Sequence, residues 1–187
     1  MPTDQPLTGC SVLVFVGEDY EDLEVWYPVL RLREAGAKVV IAGLKAGVTN
    51  KGKHGYPCPV ETTVEGLSAR DFAAVVCPGG WMPDKVRRDE NVKRLVREFD
   101  EQKKVVAAVC HGGWIPISAG VYKGVRVTGS QTAVVLPEML VQPTMNSEPR
   151  AMALDGLIMP NKVVPASTIG KRNLCACAAI CGHAARA

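Results

Sequence analysis

Short apolar runs alternate along this chain with segments whose apolar residues recur at helical spacing. The runs are CSVLVFV, KVVIAGL, FAAVVC and KVVAAV, and the clearest helical segments cover residues 23–36 and 89–102. Runs that are apolar on both faces are typical of buried parallel strands. The alternation therefore predicts an α/β fold with a doubly wound, mostly parallel sheet and helices on both faces. GVRVTGS, residues 124–130, is predicted to be a fifth strand, and residues 45–63 a loop or hairpin.

The 187 residues contain no Gly/Ser linker and no internal repeat, so one domain over residues 1–187 is expected. Charged residues make up 22% of the chain, and the net charge of +3 is spread over mixed-sign segments. This pattern argues against a nucleic-acid partner. No apolar run reaches membrane-spanning length, and MPTDQPLTG does not have the pattern of a signal peptide. A cytoplasmic protein without a membrane partner is expected.

Three loops follow predicted strands and are expected to meet at one crevice. They cover residues 17–22, 78–81 and 110–113. In open parallel sheets, ligands bind beyond the carboxyl ends of the strands.

Cys110 lies in the third of these loops, where a strand passes directly into a helix. The small residues Ala108 and Gly112 flank it in an A-x-C-x-G pattern, which resembles the G-x-S-x-G elbow of serine hydrolases. Such a turn places the sulfur at a helix N-terminus, where N–H groups and the helix dipole favour a thiolate. We therefore predict that Cys110 is a nucleophile and the one cysteine with thiolate character at neutral pH.

Two neighbouring features complete the candidate site. His111 follows the cysteine and is interpreted as its base, although a capping role or a subunit contact fits the same position. Gly79 and Gly80 form either a plain turn or, in our preferred interpretation, an oxyanion hole. Five acids crowd the first loop and helix start, and one of them is expected to face the crevice: Glu18, Asp19, Glu21, Asp22 and Glu24.

The segments EDYEDLEVWYPVLRLREAGAKV, VCPGG, AAVCHGGW and ISAGVYKGVRVT resemble the PfpI family of intracellular cysteine peptidases. That family belongs to a larger group with the parkinsonism-associated deglycase and the Hsp-type glyoxalases. The resemblance implies a flavodoxin-like sheet, a nucleophilic Cys110, an adjacent His111, and oxyanion donors from the N–H groups of Gly80 and His111. It also implies that Glu21, in YEDLE, hydrogen-bonds the sulfur, and that no cofactor is needed.

A homo-oligomer is a further expectation. Trp26 and Tyr27 give the first helix more apolar surface than one core-facing side requires. Members of the resembled family usually form dimers or hexamers in which a neighbouring subunit borders the site.

The motifs of this resemblance end at Gly129. Residues 130–187 are expected to be a divergent tail with less order than the rest, because their apolar residues have no sustained period. Two interpretations of the tail are open: a folded replacement, or an out-of-frame reading of an ordinary family tail.

The chain has seven cysteines, an odd number, and its expected cytoplasmic setting argues against a disulfide framework. Cys10 and Cys77 are expected to be small core residues. Cys175, Cys177, Cys181 and His183 lack the spacing of a zinc site, and no metal is predicted.

Three functions fit the predicted site. The first is a cysteine hydrolase of the peptidase type. The second uses the same thiolate on small 2-oxoaldehydes such as methylglyoxal, with Glu21 or His111 moving the proton. The third is a redox sensor or stress chaperone based on oxidation of Cys110. The expected partner is a small carbonyl compound or a peptide.

Overall fold

The computed structural model describes residues 5–123 and the backbone of three short strands beyond them. The tail predicted over residues 130–187 lies outside the described residues, except for the backbone of β9 and β10. The strands are β1 (Ser11–Phe15), β2 (Lys38–Gly43), β3 (Thr49–Lys51), β4 (Pro57–Pro59), β5 (Thr62–Thr63), β6 (Ala74–Cys77), β7 (Val105–Val109), β8 (Arg126–Val127), β9 (Leu140–Val141) and β10 (Leu157–Ile158). The α-helices are α1 (Asp22–Glu34), α2 (Met82–Val86), α3 (Glu90–Glu101) and α4 (Trp114–Ser118).

The main sheet has six strands in the order β10-β7-β6-β1-β2-β5. Neighbours from β7 to β5 are all parallel, and β10 pairs antiparallel with β7 at one edge. The four apolar runs of the sequence form β1, β2, β6 and β7, which lie side by side at the centre. The prediction of a mostly parallel, flavodoxin-like sheet is confirmed.

The fifth parallel strand is not the one predicted. Arg126–Val127, within the predicted strand at 124–130, pairs with β9 in a separate two-stranded sheet. The fifth parallel strand of the main sheet is instead β5, which pairs with the end of β2. Two half-buried threonines are too short a segment to have an apolar pattern, so only the pairing identifies them as a strand. β3 and β4 form the hairpin expected within residues 45–63.

The two longer helices follow the predicted segments. α1 buries Val25, Val29 and Leu32 on one side, and Gly36 follows it with a φ of +90°, a conformation that favours glycine. α3 begins after Asp89, whose side chain accepts hydrogen bonds from the N–H groups of Asn91 and Val92 at 2.8 and 3.2 Å.

The strand order sets the position of the site. β1 is followed by β2 on one side, after which the chain crosses back to place β6 on the other side of β1. Ligand crevices of open α/β sheets lie where the chain reverses in this way, at the carboxyl ends of the strands. The loops after β1, β6 and β7 all lie at that end.

Among the residues that the structure describes, no helix has both the length and the apolar character needed to cross a membrane.

Candidate active site

Cys110 lies at a strained turn between β7 and a short 3₁₀ helix, Cys110–Gly113, that leads into α4. Its φ is +53°, in the left-handed region that non-glycine residues rarely adopt. Such strain recurs at functional sites and is the backbone feature of a nucleophile elbow. The side chain is partly buried.

Glycine is required at two positions around this turn. A Cβ atom on Gly112 would overlap the carbonyl oxygen of Cys77, so the elbow packs on β6 only without a side chain there. A Cβ atom on Gly79 would lie 2.6 Å from Oε2 of Glu24 and 2.7 Å from Cβ of Cys110. The small residues singled out in the sequence therefore allow the close approach of three loops.

Four groups contact the sulfur of Cys110. The backbone N–H groups of Gly80 and His111 hydrogen-bond it. Nδ1 of His111 lies 3.2 Å from Sγ. The side chain of Glu24 forms the fourth contact. The structure thus brings Cys110, His111 and Gly80 together, as the sequence predicted.

The acid beside the sulfur is Glu24, and the expectation that Glu21 would occupy that position is wrong. Glu21 precedes α1 with an extended backbone, and its carboxylate lies 3.5 Å from Nζ of Lys53 and 3.4 Å from Nε2 of His54. Glu24 is in the first turn of the helix and accepts the Gly79 N–H at 2.7 Å. The family resemblance implied Glu21, whereas the packing of the β6–α2 turn on the helix places Glu24 beside the sulfur.

The same hydrogen bond corrects the expectation for Gly79. Because its N–H group donates to the carboxylate of Glu24, Gly79 holds the acid in place. Of the two glycines, Gly80 is the one that presents its N–H group to the sulfur.

The other acids of the cluster have structural partners. Glu18 accepts the Lys51 N–H at 3.2 Å, and Asp19 pairs with Lys85 at 3.0 Å. The buried Asp22 accepts the N–H groups of His54 and Tyr56 at 2.9 and 3.0 Å. One acid of the five, Glu24, therefore contacts the sulfur.

The Glu24 carboxyl and the Cys110 thiol influence each other's pKa, because the two side chains are in contact. Burial raises the pKa of the Glu24 carboxyl above its ordinary value, more than the Gly79 hydrogen bond lowers it. Burial and then the Glu24 charge raise the pKa of the Cys110 thiol, against the opposing effect of two backbone N–H groups. Two negative charges in this space repel each other, so ionisation of either group opposes ionisation of the other.

The prediction that N–H groups and the helix dipole simply lower the thiol pKa of Cys110 is therefore wrong. The N–H groups do favour the thiolate, but burial and an ionised Glu24 outweigh them. Burial also raises the thiol pKa of Cys58, to about 11, and that of Cys77. Cys10 and Cys77 are core residues, as expected.

Two indole rings flank His111. Trp81 stacks on the imidazole with ring centroids 5.5 Å apart and an angle of 28°. Trp114 meets it edge-on at 4.6 Å, and the guanidinium of Arg87 lies 5.3 Å from the Trp114 ring. Sequence reasoning did not assign either tryptophan to the site.

One group of side chains in the described part has ligand atoms close enough for a metal ion. Oxygens of Glu21 and Asp22 and a nitrogen of His54 lie within 4.8 Å of one another. The Asp22 oxygens already accept backbone hydrogen bonds that hold the 54–56 loop, so we assign the group a structural role. We predicted no metal site at Cys175, Cys177, Cys181 and His183, and these residues lie outside the described part of the chain.

A model of the DJ-1/PfpI family matches residues 10–158, most of the chain. The chain belongs to the DJ-1/PfpI family. The match continues past Gly129, where the motifs noted in the sequence end, and includes β10 at the edge of the sheet.

Named relatives of this DJ-1/PfpI chain carry two kinds of enzyme name. Deglycase PfpI of Pyrococcus furiosus is 41% identical over 114 residues, which cover 61% of this chain and 68% of the relative. YraA of Bacillus subtilis, named provisionally as a cysteine protease, is 37% identical over 119 residues, or 64% and 70% of the two chains. An enzymatic role of hydrolase or deglycase type fits both names.

A solved structure shows the same fold. DJ-1beta of Drosophila melanogaster matches with a TM-score of 0.65 at 24% identity, over 73% of this chain and 75% of the other. The DJ-1/PfpI sheet and its helices are thus shared, while the chemistry has to be argued from Cys110 and its neighbours.

Proposed function

We propose that this protein converts 2-oxoaldehydes, free or as adducts with amines, into 2-hydroxy acids by covalent catalysis at Cys110. The observation that carries the proposal is the contact between Glu24 and the sulfur of Cys110, at a turn with two N–H groups on the sulfur. In the reactive form the two groups share one proton, with Glu24 as the acid and Cys110 as the thiolate. The reaction needs a nucleophile and a group that both gives and takes a proton at the neighbouring carbon. The deglycase name of the P. furiosus relative supports this choice.

The first step is addition. The Cys110 thiolate forms a carbon–sulfur bond with the aldehyde carbon, and the carbonyl electron pair moves to oxygen. Glu24 gives its proton to that oxygen, which leaves a neutral hemithioacetal and a carboxylate. The N–H groups of Gly80 and His111 hydrogen-bond the sulfur, which supports their proposed role as donors to the developing oxyanion.

The second step moves hydrogen within the substrate. The Glu24 carboxylate takes the proton from the sulfur-bound carbon, and the electron pair converts the adjacent ketone to an enediolate. The former ketone carbon then receives a proton from Glu24 or His111. The hydroxyl proton on the sulfur-bound carbon moves to the enediolate oxygen, which gives a thioester of the 2-hydroxy acid. Water then cleaves the thioester and restores the Cys110–Glu24 pair. The balance is one oxoaldehyde and one water to one 2-hydroxy acid, with no external oxidant or reductant.

Peptide hydrolysis is the second candidate, favoured by one contact. Nδ1 of His111 lies 3.2 Å from Sγ, within reach to protonate a leaving amine after the sulfur attacks an amide carbonyl. The provisional protease name of YraA agrees with this candidate.

A three-substrate assay separates these reactions. Purified protein is incubated with methylglyoxal, a fluorogenic peptide or hydrogen peroxide, without added thiols. We expect lactate from methylglyoxal, measured by NMR, and its loss after prior treatment with iodoacetamide. Cleavage of the peptide without formation of lactate would refute the proposal in favour of the peptidase. If peroxide oxidises Cys110 and the protein turns over neither methylglyoxal nor the peptide, the redox-sensor function is the one that remains.

We also propose that the protein forms a homodimer or homohexamer through one side of α1. Leu23, Tyr27 and Leu30 recur at helical spacing and are 76%, 66% and 59% exposed. Trp26, expected on this surface, instead packs inward: its Nε1 donates to the Tyr20 hydroxyl at 3.2 Å, and its ring contacts Tyr56 edge-on.

Sedimentation at micromolar concentration tests the oligomer. The wild-type protein is expected to sediment as a dimer or hexamer, and the double variant Leu23→Asp/Tyr27→Asp as a monomer with an unchanged circular dichroism spectrum. Arg97→Asp, a charge change on the exposed side of α3, is the matched control and should not alter assembly. A monomeric wild-type protein would contradict the proposal.

A further inference from the structure

The indole of Trp81 is held at the mouth of the crevice by the backbone around it. Gly80 precedes it with a φ of +78°, and a Cβ atom there would lie 2.5 Å from the Asp19 carbonyl oxygen. The Trp81 N–H donates to that same oxygen at 2.9 Å, and the Asp84 N–H donates to the Trp81 carbonyl at 3.2 Å. The backbone of Trp81 is thus positioned by the two loops that also position Gly80 and Glu24 beside the sulfur.

One face of the Trp81 indole contacts His111, and the rest of the ring is accessible to solvent. The ring stacks on His111, yet 57% of the residue is exposed. His111 in turn contacts Sγ of Cys110 at 3.2 Å, so one imidazole ring connects the indole of Trp81 to the sulfur. Trp114, on the other side of His111, is covered by Arg87.

The cations around this surface are already paired. Lys85 pairs with Asp19 at 3.0 Å, Arg87 with Asp84 at 2.9 Å, and Lys53 with Glu21 at 3.5 Å. The exposed surface that His111 connects to the nucleophile is therefore the uncharged, flat aromatic ring of Trp81. Such a ring binds another flat uncharged ring by stacking, with burial of apolar area.

We infer that Trp81 is a substrate-contacting residue that selects 2-oxoaldehydes with an aromatic ring on the ketone carbon over those with a small alkyl group. The inference rests on the proposed function for its substrate class. In the hemithioacetal the ketone carbon is one bond from the sulfur-bound carbon, so its substituent begins three bonds from the sulfur of Cys110.

The test compares two substrates in one enzyme. We measure kcat/KM for phenylglyoxal and for methylglyoxal and take their ratio, which cancels effects on His111 or the thiol that act on both. Trp81→Leu is expected to lower the ratio about five- to tenfold, the scale of one aromatic contact, while Trp81→Phe retains most of it. Trp114→Leu is the matched control, because it also removes an indole from His111, and should leave the ratio unchanged. A ratio that stays within about twofold in Trp81→Leu, or falls equally in Trp114→Leu, overturns the inference.

A second measurement, the rate of Cys110 alkylation, tests the role of Trp81 without requiring turnover. Phenacyl bromide and bromoacetone alkylate a thiolate by forming a carbon–sulfur bond and releasing bromide, and they differ in the same aryl and methyl groups. If the wild-type protein does not turn over methylglyoxal, the proposed function fails, and the ratio of the two Cys110 alkylation rates decides on Trp81. A five- to tenfold lower ratio in Trp81→Leu supports the aromatic contact, and an unchanged ratio refutes it.

Discussion

Cys110→Ala is expected to lower the turnover of methylglyoxal by at least about 10³-fold, because no other group can form the covalent intermediate. The same variant should lose the iodoacetamide adduct that mass spectrometry finds in the wild-type protein at neutral pH. Cys110 lies at the crevice with an acid to take its proton, whereas the thiols of Cys58 and Cys77 are buried and hard to ionise.

Cys58→Ala is the matched control, since it removes a buried thiol from the β3–β4 hairpin and leaves the crevice intact. It should retain turnover and Cys110 labelling. Turnover that persists in Cys110→Ala would show that the reaction occurs elsewhere on the protein.

Glu24→Gln is expected to lower turnover by about 10²-fold or more, the usual scale for loss of a positioned acid–base group. Glutamine can still accept the Gly79 N–H but cannot give and take the proton that both steps require. Glu21→Gln should change turnover less than about fivefold, because Glu21 forms partly exposed ion pairs with Lys53 and His54. The reverse ranking of the two variants would restore the role that the sequence assigned to Glu21.

The pH dependence of Cys110 alkylation gives the same prediction a second readout. In the wild-type protein the rate should rise in two steps, because the pair loses its first proton at the raised pKa of Glu24 and its second above the ordinary range of a thiol. In Glu24→Gln the first step should disappear. The second should move to lower pH, because the negative charge that raises the pKa of Cys110 is gone. Identical profiles for the two proteins would contradict a shared proton.

The strands that form the centre of the sheet were predictable because their pattern is local. A run such as VVAAV is apolar on both faces whatever its neighbours are, and Gly112 beside Cys110 marks a tight turn from sequence alone. β5 could not be predicted, since two threonines become a strand only through pairing with β2.

The sequence by itself determined the fold class, the position of Cys110 at the end of β7, and the neighbouring His111, since strand and turn patterns extend over only a few residues. The tertiary structure alone decided which acid meets the sulfur. Glu21 and Glu24 are three residues apart in one acidic segment, and the contact with Gly79, 55 residues further along the chain, distinguishes them. It also decided that Trp81 stacks on His111 at the crevice mouth. Contacts between loops from different strands depend on how the strands are ordered in the sheet, and no local pattern contains that information.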